Sequence, residues 1–301
     1  MEVNISVIIP NYNNAAYLTQ CIESVFQQSH QPIECLVIDD GSTDNSINVL
    51  QTLKEKFNNL HLYSQENAGP SVARNSGIKK AKGNYIALLD SDDYWSPDKL
   101  WNQVQLIECG DEVISSHCDY INSKGQISKE KKYILPPYHP FDFLAKNALI
   151  GSCSSILFPK NIVNNVGYYN TDLKSAEDLE FHFRIALESY TFKHVQQNDV
   201  HIRWHSNNST KDYTKVLYFQ LMAFDLQIKA IHRNYPKLLK DEKRYKSAII
   251  ERIGKIRFWA NLDKNKSIKL LTYFLELKHL GKKQLIKTLI NNVVLKLKKK
   301  I

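Results

Sequence analysis

No run of this 301-residue chain approaches the roughly 18 consecutive apolar positions that a membrane-spanning helix needs. A spanning segment is therefore not expected. No basic leader or cleavage site precedes the strand-like Ile5-Ser6-Val7-Ile8-Ile9, so an ordinary signal peptide is not expected either. Cysteine is sparse: Cys21, Cys35, Cys109, Cys118 and Cys153 are odd in number and never in Cys-x-x-Cys spacing. That pattern argues for reduced thiols in a cytoplasmic protein and against a disulfide framework or a zinc site. The Gly-x-Gly-x-x-Gly of a dinucleotide oxidoreductase is missing after the first strand. A glycine-rich phosphate loop with Lys or Arg is missing too, since Pro10-Asn11-Tyr12-Asn13-Asn14-Ala15 holds neither. That absence counts against a metal-dependent nucleotidyltransferase, the nearest rival enzyme with an α/β sheet.

What is present describes a folded chain, with 43% hydrophobic and 11% aromatic residues. Its net charge of +9 is unevenly placed. Residues 1–210 carry 17 Lys and Arg against 24 Asp and Glu, whereas residues 211–301 carry 23 against 7. An acidic front and a basic back imply two regions that face different partners, with a boundary near residue 210. The carboxylate-rich front opposes a nucleic-acid binder.

The front alternates short β-branched runs with helical patterns. Strands are expected at Ile5–Ile9, Glu34–Ile38, His61–Ser64 and Tyr85–Leu89, and helices at Tyr17–Gln28, Ser46–Phe57 and Pro70–Ala81. Such alternation implies βαβ units and a mainly parallel sheet with helices on both faces. Ligands of these sheets lie beyond the carboxyl ends of the strands. After residue 90 the pattern loosens. Lys124–Pro140 reads as a loop or hairpin, Ser152–Phe158 as a strand and Ser175–Ser189 as a helix; from Tyr213 onward the period is helical.

Four clusters sit where chemistry is expected. In Pro10–Asn14 the proline should stop sheet pairing, and Tyr12 beside amides suits a flat base; a plain turn is the other reading. Asp39-Asp40-Gly41-Ser42-Thr43-Asp44 is either an Asp-Gly turn with a helix cap or a place where a carboxylate accepts a base N–H. Asp90-Ser91-Asp92-Asp93 puts three carboxylates behind a buried strand, where they repel unless a hard cation sits among them; a solvated acidic turn is the alternative. Ser175-Ala176-Glu177-Asp178 has the form of a capping box, with Ser175 as N-cap.

Taken in order, these segments resemble family 2 glycosyltransferases of the GT-A fold. Ser6-Val7-Ile8-Ile9-Pro10-Asn11-Tyr12-Asn13, Val37-Ile38-Asp39-Asp40-Gly41-Ser42-Thr43-Asp44, Asn67-Ala68-Gly69-Pro70-Ser71-Val72-Ala73-Arg74-Asn75, Leu89-Asp90-Ser91-Asp92-Asp93 and Glu177-Asp178 carry the resemblance over about residues 4–210. It implies an α/β, GT-A type, mainly parallel sheet, followed here by an α-helical C-terminal region. It also implies a metal-dependent, inverting transferase of the hexosyltransferase type. By the same resemblance Pro10, Tyr12 and Asp39 hold the base, and Asn67, Gly69 and Arg74 approach the base and diphosphate. Asp90 contacts the sugar, Asp92 ligates Mn²⁺ or Mg²⁺, and Asp178 is the catalytic base. Asp93 is left between a ligand role and a cap. Arg203-Trp204-His205-Ser206-Asn207-Asn208-Ser209 looks like the family's late active-site loop, with His205 near metal or diphosphate.

The implied reaction moves a sugar from a nucleotide-diphosphate donor, UDP first, to a hydroxyl of a glycan or lipid-linked acceptor in cell-surface polysaccharide or glycolipid synthesis. A nucleotide-sugar binder without catalysis is the non-enzymatic alternative. In the last segment Leu285, Ile286, Leu289, Ile290, Val293, Val294 and Leu297 recur at helical spacing among lysines. A basic amphipathic helix of this kind can lie on an anionic membrane, which suits peripheral attachment to the inner face of the cytoplasmic membrane. The alternative is that its apolar stripe packs on the chain's own helices or in a homo-oligomer.

Overall fold

The computed structural model describes residues 2–122, 126–131, 139–146, 152–188, 190–205, 213–245, 247–249 and 251–252. The expected alternation is found: β1 (Ile5–Asn11), α1 (Ala15–Phe26), β2 (Glu34–Asp39), α2 (Ser46–Lys56), β3 (Leu60–Ser64), α3 (Pro70–Lys80) and β4 (Tyr85–Leu88). Then follow β5 (Tyr94–Trp95), α4 (Lys99–Val104), β6 (Glu112–Ile121), β7 (Ile127–Lys131) and α5 (Pro140–Lys146). The described chain continues through β8 (Leu157–Pro159), α6 (Ile162–Val166), α7 (Glu177–Leu187), β9 (Thr191–Arg203) and α8 (Tyr213–Asn234).

The strands form one sheet in the order β3-β2-β1-β4-β8-β6-β9-β5, with β7 paired to β6 outside that path. The β3-β2-β1-β4 half is parallel, as right-handed βαβ crossovers require. Beyond β4 the sheet is mixed: β8 is antiparallel to β4 and β6, β9 runs parallel to β6, and β5 runs antiparallel to β9. Alternation along β1 divides the core. Ile5, Val7 and Ile9 pack with α1 and α2 through Leu18, Ile22, Val25, Leu50 and Leu53. Ile8 faces the other layer, with Ala73 and Ile78 of α3, Phe181 and Ile185 of α7, and Phe224 and Ile228 of α8. On α3, a Cβ at Gly77 would lie 2.4 Å from Ile8 Cγ2, so helix and strand touch through the missing side chain.

Three expectations change. Pro10 does not stop the sheet, because β1 stays in register with β2 through Pro10↔Ile38 and Asn11↔Asp39. Even-numbered residues of β1 face β4, as the bond from Leu89 N–H to the Ile8 carbonyl shows, and that pairing has ended at Leu88. The missing donor of Pro10 therefore falls where no partner strand remains. Ser152–Phe158 is not one strand: Cys153–Ser155 forms a 3₁₀ turn ahead of β8. Ser175 does not cap α7 either, since Ala176 occupies the N-cap position in the left-handed region, with φ of 63° and no side-chain cap bond. β6 and β7 do pair as a hairpin within the stretch read as loop or hairpin, whose residues 132–138 lie outside the described residues. The expected boundary near residue 210 also lies outside them. Just beyond it, α8 buries Leu221, Phe224 and Ile228 in the core shared with α7.

Candidate active site

The carboxyl ends of β1, β2 and β4 bring the first three clusters together. Asn11 Nδ2 donates to Asp39 Oδ1 at 2.8 Å and to Ser42 Oγ at 3.2 Å. Ser42 in turn donates its hydroxyl to Asp39 Oδ1 (2.6 Å) and its N–H to Oδ2 (3.0 Å). Asn13, at φ of 55°, accepts the N–H groups of Thr43 and Asp44 on its Oδ1. The two loops are thus one unit, and Tyr12 stands out from it, 48% exposed. Asp40 is turned the other way: it accepts from Gln65 Nε2 and from the N–H groups of Ala68 and Gly69. Both aspartates are buried, and each is paired as burial demands. Asp44 accepts Ser46 N–H at the start of α2 and Ala15 N–H at the start of α1, while Asn45 occupies the N-cap position of α2 without a side-chain cap bond. Asn11 Oδ1 remains buried and without a hydrogen-bond partner.

The loop held by Asp40 delivers the start of α3. Exposed Asn67 precedes Gly69, which takes φ of 97°, a region that favours glycine, immediately before Pro70 at the first helical turn. Lys174 Nζ donates to the Ala68 carbonyl at 3.0 Å beside it. One turn into α3 stands Arg74, which the resemblance implies near the diphosphate. It is 4% exposed, with NH1 on Glu177 Oε1 at 2.7 Å and NH2 on Asp90 Oδ1 at 2.8 Å.

Each carboxylate after β4 has its own partner. Asp90 meets Arg74. Asp93 is 3% exposed and accepts from Ser154 Oγ and from Arg203 N–H, so it neither caps a helix nor opens to a ligand. Asp92 Oδ2 lies 3.0 Å from His205 Nε2. The His205 ring stacks on Tyr17 with centroids 5.0 Å apart, and Arg203 lies over the same tyrosine. Burial first, and then Asp92, push Asp93 well above the usual carboxylate range. Asp90 is raised by burial, against the pull of Arg74.

Asp178 sits in the first turn of α7, partly buried, with Oδ1 accepting the Leu179 N–H at 2.8 Å. Burial and the neighbouring Glu177 carboxylate push it up to about 7. Asn13 and Ala176 are the non-glycine residues at positive φ among those described, and each lies beside this site. Such local strain gathers where a site over-determines the backbone.

The sequence reading did not single out Ser42, Asn11, Lys174 or Ser154 as functional, and it held Glu177 only as second to Asp178 within the Glu-Asp pair. Glu177 had a signal, since it adjoins the expected base. Ser154 had none, because one serine in Ser152-Cys153-Ser154-Ser155 looks like the next. Residues 206–209 of the late loop lie outside the described residues. Among the described residues no group of three or more His, Cys, Asp or Glu side chains gathers as a metal site. Asp92 and His205 are the side chains that could hold a divalent cation there together with a nucleotide. Such ions take one or two protein donors and complete their shell with phosphate oxygens and water.

The description Glycosyl transferase family 2 matches residues 6–167. An uncharacterized glycosyltransferase of Rickettsia felis is 44% identical over 127 residues, 42% of this chain and only 21% of that protein. The chain thus spans about a fifth of that relative. The putative teichuronic acid biosynthesis glycosyltransferase TuaG of Bacillus subtilis is 30% identical over 188 residues, 62% of this chain and 73% of that one. Among solved structures, S. aureus TarS 1-349 in complex with UDP-GlcNAc is similar, with a TM-score of 0.64 and 21% identity over 83% of this chain and 71% of that one. Mannosyltransferase PcManGT from Pyrobaculum calidifontis, in complex with GDP-Man and Mn²⁺, gives 0.58 and 17% over 97% and 88%. At these identities the structural likeness speaks to the fold, which is GT-A. The family match covers more than half of the chain, and the chain belongs to glycosyl transferase family 2.

Proposed function

We propose that the protein is an inverting glycosyltransferase. It moves a sugar from a nucleoside-diphosphate donor, UDP first, to a hydroxyl of a glycan or lipid-linked acceptor in cell-surface polysaccharide or glycolipid synthesis. The observation that carries this reading is the Arg74 guanidinium, which ties Glu177 to Asp90 in one rigid fork. Through it, Asp178 on α7 is held at a fixed distance from the carboxylates behind β4.

Within the reading, Pro10, Tyr12 and Asp39 form the base subsite. Asn11 supports it, since its Nδ2 donates to Asp39 Oδ1 and so fixes the carboxylate that would accept a base N–H. Asn67 and Gly69 bring backbone near the diphosphate, Asp90 contacts the donor, and Arg74 positions Asp90 and Glu177. Asp92 and His205 would hold Mn²⁺ or Mg²⁺, which stabilises charge on the departing diphosphate. Asp178 takes the proton of the acceptor hydroxyl as it attacks the anomeric carbon. Its Oδ1 is engaged by Leu179, and the proton goes to Oδ2. One displacement inverts that centre. A cell-surface acceptor draws support from the name of TuaG, and a UDP donor from the TarS complex; the GDP-Man complex keeps guanosine in the test.

The test is a panel of UDP-Glc, UDP-GlcNAc, UDP-Gal and GDP-Man with Mn²⁺ or Mg²⁺. The readouts are nucleoside diphosphate release and the anomeric configuration of the product by NMR. Formation of UTP and sugar 1-phosphate from a UDP-sugar and added pyrophosphate would instead make it a nucleotidyltransferase. Binding with neither hydrolysis nor transfer would make it a silent nucleotide-sugar binder.

A further inference from the structure

Around the pair assigned to the cation, the side chains that hold its two halves together are themselves buried. Ser154 is fully buried in the 3₁₀ turn before β8. Its Oγ accepts the Asp90 N–H at 3.1 Å and donates to Asp93 Oδ2 at 2.6 Å. Its carbonyl accepts Trp95 Nε1 at 2.7 Å, which fixes the turn from behind. The other oxygen of Asp93 accepts the Arg203 N–H at 3.0 Å, at the end of β9. Asp93 is the neighbour of Asp92, and Arg203 lies two residues before His205. Three separate segments of chain therefore meet at one carboxylate: the loop after β4, the turn before β8 and the end of β9. Both oxygens of that carboxylate are engaged by protein donors, and the group is 3% exposed, so it is not itself a ligand.

We propose that Asp93 and Ser154 are positioning residues, a buried strap that sets the separation of Asp92 and His205 and so the affinity of the site for its divalent cation. The proposal rests on the assignment of Asp92 and His205 under the proposed function. Hydrogen bonds behind a ligand fix its orientation, and their loss typically weakens metal binding about 10- to 100-fold. Here the Asp93 carboxylate does this for both ligands, together with the Arg203 guanidinium that donates to the Asp92 carbonyl, because both join the two backbones that carry them. Ser154 adds the third fixed point. Its hydroxyl accepts from the Asp90 N–H and meets Asp93 Oδ2 with its proton.

The experiment compares the wild type with Asp93→Asn and Ser154→Ala. Bound Mn²⁺ is followed by loss of the free-ion EPR signal in the presence of UDP, and uridine binding is measured by calorimetry. Asp93→Asn keeps the volume and the acceptor for Arg203 but turns an NH2 toward Ser154 Oγ, so it reverses that bond and tests the charge of the strap, while Ser154→Ala removes the bond itself. The expected result is Mn²⁺ affinity lower by about 10- to 100-fold, with uridine affinity kept and turnover restored by excess Mn²⁺. Folded variants whose Mn²⁺ affinity stays within about twofold of the wild type would overturn the strap. Loss of the fold in both variants would overturn it too, by making the pair a core element and nothing more. Wild-type protein that holds no Mn²⁺ with UDP would instead remove the cation assignment beneath it, a failure that the wild-type titration alone reveals.

Discussion

Burial and the adjacent Glu177 carboxylate push Asp178 up to about 7, so near neutrality the group is partly the acid form. A base must be ionised to accept a proton. With Asp178 as the base, kcat/KM of the free enzyme is expected to rise through about pH 7 and to fall about tenfold per unit below it. The stability effect has the opposite sense. The folded state binds this proton more tightly than the unfolded chain, so stability falls as pH climbs from the ordinary carboxylate range to about 7. Asp178→Asn should therefore lose transfer by about 10²–10⁴-fold. It should keep nucleotide binding and melt higher than the wild type at pH 8. A flat pH profile with near-normal transfer would move the base elsewhere, to Glu177 first. Asp92→Asn should raise the Mn²⁺ needed for half-maximal turnover while the fold survives, and an unchanged metal titration would count against that assignment. Arg74 is a different kind of residue. Arg74→Met strands the Glu177 carboxylate in a buried place, which typically costs about 3–5 kcal/mol, and leaves Asp90, a third exposed, to water. A lower melting temperature is expected together with lost transfer, and unchanged melting would mean that the fork is not formed in solution.

At the scale of the element, the contact of α3 with β1 is the tightest test of the packing. Gly77→Ala places a methyl 2.4 Å from Ile8 Cγ2. Overpacking of this kind costs about 1–3 kcal/mol, read as a fall in melting temperature. The contact also shows what a sequence discloses. β1, β2 and β4 were legible because strands buried on both faces read as unbroken apolar runs. The first two helices were legible because their apolar residues recur at helical spacing. β6 and β9, at 10 and 13 residues, escaped notice. Ser115, Ser116, His117 and Asp119 occupy buried positions of β6 where alternation should show apolar residues, and the register against β9 shifts around His117. Neither strand carries a period to read. The site divides in the same way. The acidic motifs and the order of the segments were visible, whereas the pairing of Arg74 with Glu177 spans 103 residues and exists only in the fold.

Across the whole molecule, charge is segregated: the acidic front carries the site, and residues 211–301 bring 23 Lys and Arg against 7 Asp and Glu. Among the described residues no helix is long and apolar enough to cross a membrane. α8 already places part of the basic region on α7, through Leu221 and Phe224. The final segment lies outside the described residues, so the argument for it rests on its sequence. Leu285, Ile286, Leu289, Ile290, Val293, Val294 and Leu297 would share one face of a helix, and Lys282, Lys283, Lys287, Lys296, Lys298, Lys299 and Lys300 supply charge around it. Such a helix binds through buried apolar area plus attraction to anionic headgroups, with about 1 kcal/mol from each basic residue near the surface. A lipid-linked acceptor would be presented at that same surface. Removing residues 282–301 is expected to abolish salt-sensitive co-sedimentation with anionic vesicles while donor hydrolysis continues. Full-length protein that ignores such vesicles at low salt would sink the membrane reading. A truncation that unfolds, or that turns a dimer into a monomer, would show that the apolar stripe is covered by protein.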